Sequence, residues 1–225
     1  YHFLEAYDDL INKTSDVKLE MRFFPSAVNQ ALAGIGVIAG PVSENKVALL
    51  INEKSFTTAP VTSFWDIIPI SETQLTSNLI EGGIEVMSRT ELREIISEKT
   101  VLSAIKGNLG SARKIGLKAG ADIVIVGTAV SKLRGENAKE DIKTVQANIN
   151  VKMVSTLESL LITAKTEFST IKHENALQAE LEAFDSASEK LAGFLAPSLH
   201  RYREKGAEAP VKKVPEAPPL SMSDM

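Results

Sequence analysis

The chain has 225 residues, 44% of them hydrophobic and 24% charged, with a formal net charge of −4 and no cysteine. That length holds one large domain, or a small domain followed by a standard one. The acidic balance, with Lys and Arg scattered among carboxylates, excludes a phosphate-binding surface and hence a nucleic-acid partner, and the missing thiols exclude disulfides, thiolate zinc sites and cysteine nucleophiles.

No run of about 18 apolar residues occurs, so no transmembrane segment is expected. A chain that opens on Tyr1 is expected to be processed or trimmed, with any signal peptide already gone. It also shows no lipoprotein cysteine.

Phe3, Leu4, Tyr7, Leu10 and Ile11 recur at helical spacing, which predicts a helix over 3–16 ended by Asn12-Lys13-Thr14-Ser15. Val17, Leu19, Met21 and Phe23 alternate with polar residues, the period of a half-buried strand. Val28, Leu32 and Ile35 fit a further helix after Pro25. Residues 1–44 thus read as the remainder of a small α+β N-terminal domain.

A larger α/β domain is expected over 45–203. Val47-Ala48-Leu49-Leu50-Ile51 and Ala121-Asp122-Ile123-Val124-Ile125-Val126-Gly127 are continuous apolar runs, typical of strands covered on both faces. Between them two helix starts are signed by capping-box spacing, Ser71 with Gln74 and Ser88 with Glu91. Ile70 with Leu75 and Met87 with Leu92 stand at staple spacing beside them. Leu92, Ile95 and Ile96 are expected to face inward. A less regular stretch follows, then a helix carrying Ala112, Ile115 and Ala119 that Gly120 closes.

Residues 134–141 read as a charged turn. Val145 to Met153 and Leu160 to Phe168 alternate as an antiparallel hairpin turning near 156–159, and Leu177, Leu181, Phe184, Leu191, Leu195 and Leu199 mark the inner face of a long last helix. Residues 204–225, with Pro210, Pro215, Pro218 and Pro219, read as a Pro-rich tail. Strands covered on both faces, helices between them and a hairpin predict a mixed-sheet α/β sandwich with helices on the sheet.

Catalytic signatures are sparse. His2, His173 and His200 stand too far apart in sequence to converge by helical or strand spacing, so no metal site is expected. The glycines of 34–40 follow a helix rather than a strand, and Gly107-Asn108-Leu109-Gly110 lacks the Lys of a phosphate loop; both read as loop or cap glycines, and no cofactor is expected. Asp122 is the best single carboxylate, but acid/base work at a glycoside needs a facing partner and none suggests itself. No Gly-x-Ser-x-Gly elbow occurs, so an enzyme is not expected.

The loop 54–69 carries the only tryptophan, Trp65, with Phe56, Phe64, Ile67 and Ile68 around it. Such a cluster either folds back over the sheet edge as a lid on the core or anchors a protein partner. The five residues are the candidate partner-binding site.

Four segments in order carry a resemblance: Lys46–Lys54, Ser63-Phe64-Trp65, Gly83–Arg89 and Ala119–Gly127. Over about 46–200 they resemble the middle domain of flagellar assembly protein T. They are also similar to the curli secretion lipoprotein and to the TolB amino-terminal domain. The resemblance implies a structural component of the periplasm or the outer-membrane periphery, commonly arranged in rings around a flagellar motor or channel. It implies a homo-oligomer and other envelope-assembly proteins as partners. Where that family continues into a carboxy-terminal β-domain, this chain continues into its Pro-rich tail. A soluble periplasmic regulator of one partner protein is the competing expectation, and an enzyme or small-ligand binder stands third.

Overall fold

The computed structural model describes residues 2–9, 14–20, 43–58, 63–137 and 142–208. The N-terminal segment departs from expectation. Instead of a helix over 3–16, β1 (His2–Asp9) and β2 (Thr14–Glu20) pair antiparallel as a two-stranded sheet. Of the polar stretch read as a helix stop, Thr14 and Ser15 open β2 and pair with Asp9 and Asp8, and Asn12 and Lys13 fall outside the described residues. Cross-strand pairing outweighs an apolar spacing that a lone helix of about 14 residues exploits poorly in water. The helix expected around Val28–Ile35, with Met21, Phe23 and the glycines of 34–40, falls outside the described residues.

The main sheet is the expected mixed one. β3 (Ser43–Lys54), β4 (Glu85–Val86), β5 (Ala121–Asn137), β6 (Ile142–Ser155) and β7 (Leu161–His173) take the order β4-β3-β5-β6-β7. β4 and β5 run parallel to β3, while β5, β6 and β7 are antiparallel neighbours. Alternate residues of β3 and β5 feed two cores, which is why these strands read as unbroken apolar runs.

Val47, Leu49, Ile51, Ile123 and Ile125 join Ala147, Ile149, Val151 and Met153 of β6 in the larger core. It is covered by α1 (Ile70–Glu81) and by α5 (Ala176–Glu208), which brings Phe184, Leu191, Leu195 and Leu199. Ala48, Leu50, Val124 and Val126 face the opposite side. There Leu92 of α2 (Arg89–Ile95), Val101 and Ala104 of α3 (Glu98–Ile105), and Ala112, Ile115 and Ala119 of α4 (Leu109–Ala119) pack on them.

Local signals held where their partners are local. Ser88 and Glu91 form a complete capping box, with Met87 and Leu92 buried in the same core. Gly120 closes α4 at φ 64°, and Asn108 caps its start. Ser71 does not cap: α1 begins one residue earlier, with Pro69 at the cap position. The stretch taken as irregular contains α3, β5 runs to Asn137 where a turn was expected, and α5 continues to Glu208 past the expected start of the tail. Ile95 and Leu177 are exposed rather than inward-facing, because each lies at a helix end that overhangs its core.

Candidate functional site

The loop after β3 is held by glutamates. Glu53 continues the inward phase of Val47, Leu49 and Ile51, and its carboxylate accepts from Ile70 N at 3.1 Å and Ser71 N at 2.7 Å. It thus does for α1 what Ser71 was expected to do, satisfying free N–H groups at a helix start. On α1, Glu72 accepts from Ile51 N at 2.7 Å. β4 ends at Val86, opposite Val47, so this N–H of β3 lies beyond its neighbour strand. On α5, the fully buried Glu180 accepts from Thr57 Oγ1 and Ser131 Oγ, and Ser131 Oγ in turn accepts from Phe56 N at 3.0 Å. On α3, Glu98 accepts from Ser63 Oγ at 2.7 Å and Phe64 N at 2.9 Å.

Burial pushes Glu53 above the ordinary carboxylate range, and the nearby charge of Glu180 pushes the same way, against the groups of Ser71 and Ile70 that lower it. Burial also raises Glu72, against the opposing pull of Arg89. Glu98 is lowered by the Phe64 N–H and the Ser63 hydroxyl.

Phe64–Asp66 form a short 3-10 turn capped by Ser63. Phe64 is buried, and Trp65 meets it edge-on, centroids 4.9 Å apart at 83°. The Arg89 guanidinium lies 4.2 Å from the Phe64 centroid and 5.3 Å from that of Trp65. It reaches Glu72 at 2.6 Å through Nη1 and donates to the Phe64 carbonyl through Nη2. A cation between a carboxylate and two rings joins the loop to both α1 and α2.

The five expected residues therefore separate. Phe64 and Trp65 share the smaller core, Ile67 is half-buried, Ile68 is 81% exposed, and Phe56 is anchored towards Ser131 and α5. Lid and exposed tip coexist in one loop. Arg89, Glu72, Glu98 and Glu180 were missed. Arg89 had a readable signal: it is the first residue of α2, where a cation opposes the helix dipole and needs another partner.

Asp122 finds the partner that sequence could not name. Arg203 of α5 donates to it twice, Nε to Oδ2 at 2.8 Å and Nη2 to Oδ1 at 3.0 Å. Burial raises this carboxyl, against the hydrogen bonds and charge of Arg203. Its role is a structural clasp. His173 accepts from Asn175 N at 2.8 Å, and His200 is exposed on α5. Among the described residues no group of three or more His, Asp or Glu side chains is placed to hold a metal, and no helix is long and apolar enough to cross a membrane.

No family model matches the chain, and no curated protein matches it. Solved structures do. CT253, a hypothetical protein of Chlamydia trachomatis, aligns with a TM-score of 0.51 at 8% identity, over 70% of this chain and 98% of its own. The PelC dodecamer of Paraburkholderia phytofirmans aligns at 0.42 and 16% identity, over 71% and 93%. The LpoB C-terminal domain of Salmonella enterica aligns at 0.34 and 15%, over 65% and 98%. The first likeness establishes the fold alone, and the other two carry no argument.

Proposed function

We propose that the chain is a non-catalytic subunit of a bacterial cell-envelope assembly that binds protein partners through the loop after β3. The observation that carries the binding role is the held loop: glutamates fix it at both ends, yet it turns Ile68 and part of Trp65 outward. An apolar tip on a preorganised loop binds without a large ordering cost. Phe64, which Trp65 meets edge-on, supports that tip from beneath.

The envelope placement rests on the sequence resemblance over about 46–200, as do a periplasmic or outer-membrane-associated location and the division into 1–44, 45–203 and 204–225. The finer reading, a homo-oligomeric ring component beside the flagellar motor, has the same support. A regulator that engages one partner is the second reading, favoured by the small exposed patch around Ile68.

Fractionation of cells expressing the protein from its native gene with a tag tests the placement, and Ile68→Asp tests the loop. Recovery with the envelope, and loss of envelope partners in Ile68→Asp at unchanged melting temperature, are expected. Recovery in the cytosol overturns the placement, and unchanged partners in Ile68→Asp overturn the loop.

A further inference from the structure

β7 is the last strand of the main sheet, and among the described residues it pairs with β6 alone. Its outer edge carries backbone N–H and C=O groups open to another strand. Ala164, Thr166, Phe168 and Thr170 point to the face away from α5 and are all exposed. Lys165 and Glu167 point to the α5 side, opposite Val151 and Ile149 of β6. They pair with each other at 3.1 Å, and Lys165 also lies 5.1 Å from the Phe194 centroid.

Charges turned inward on an edge strand discourage indiscriminate pairing. Here they also select a register. We propose that β7 is a homodimer interface, in which two copies pair antiparallel about a twofold axis through Thr166. That register sets Lys165 opposite Glu167 of the second copy, and Glu167 opposite its Lys165. Sliding by two residues one way sets Lys165 against Lys165, and the other way Glu167 against Glu167. Opposite charges directly across a sheet attract and like charges repel, so one register is favoured over both neighbours.

The exposed apolar residues at the centre of β7 follow the same register; beyond the irregularity at its start, Leu161, Ile162, Phe194 and Tyr202 line in part an open groove of about 370 Å³. The exposed Phe168 meets Ala164. Because α5 packs over both β6 and β7, the twofold brings the second α5 alongside at about 10 Å, an ordinary helix-packing distance. The contact is self-complementary and closes on itself, so it makes a dimer and not a fibre.

This inference rests on the homo-oligomer part of the reading above and gives it a surface. Sedimentation of the full chain, alone and in mixtures, tests it. Lys165→Glu carries only acids at the centre of β7 and Glu167→Lys only bases; each is expected to self-associate at least about tenfold more weakly than wild type. Mixed in equal amounts they are expected to form a heterodimer of near wild-type affinity, which a merely intrachain role for the pair does not produce. Because the chain has no cysteine, Thr166→Cys adds one thiol at the exposed axis position, and oxidation is expected to give a disulfide-linked dimer. A monomeric wild type overturns both this inference and the homo-oligomer. A wild-type oligomer whose Thr166→Cys form does not crosslink and whose charge variants do not recombine overturns the β7 interface alone.

Discussion

Arg203 holds Asp122 by two parallel hydrogen bonds across 81 residues of sequence. The pair fixes the last turns of α5 to the start of β5. Arg203→Met should therefore leave a largely buried carboxylate alone and cost about 1–3 kcal/mol. Asp122→Asn combined with Arg203→Met should cost less than Arg203→Met by itself, since no lone charge remains. Urea denaturation of the three forms checks this.

Glu53 gives a pH signature. Its folded value lies above the ordinary 4.5 because burial disfavours the anion. Its contribution to stability is thus full below the unfolded value and declines as pH rises through the folded one. Gln does not titrate, so the cost of Glu53→Gln, relative to wild type, should shrink as pH rises from below 4.5 through the raised folded value. Chemical denaturation across that range reads the difference; a cost that grows with pH means the anion is favoured.

Arg89 is the joint of the loop. Its removal leaves Glu72, 6% exposed, without its cation and frees the Phe64 carbonyl. Arg89→Met should cost about 3–5 kcal/mol. Arg89→Lys should recover only part of that, because one ammonium cannot replace a planar fork that also stacks on Phe64. Thermal melting separates the two variants.

Gly127 lies where β6 approaches β5 closely. An added Cβ would overlap the Asn150 carbonyl oxygen and Val151. Gly127→Ala should cost about 1–3 kcal/mol through forced backbone displacement, measured by denaturant midpoint.

Sequence exposed those features whose cause is local. The runs at Val47–Ile51 and Ile123–Val126 are legible because both faces must be apolar. Gly120 and the Ser88–Glu91 box are legible because the whole device spans a few residues. The N-terminal hairpin was hidden because its apolar spacing also fits a helix. Ser71 misled because Glu53, 18 residues away, supplies the oxygens first. At the candidate site Trp65 and Phe64 stood out by composition, but Arg89, Glu98 and Glu180 owe their roles to partners 25, 34 and 123 residues distant. No periodicity encodes such distances.

The larger core is finished by the last of its own elements to be synthesised. Phe184, Leu191, Leu195 and Leu199 all belong to α5, so until they are made the inner side of β3, β5 and β6 has only α1 to cover it. A nascent chain stalled before about residue 180 presents an apolar, unfinished sheet. Until α5 is made, such a chain stays available to chaperones.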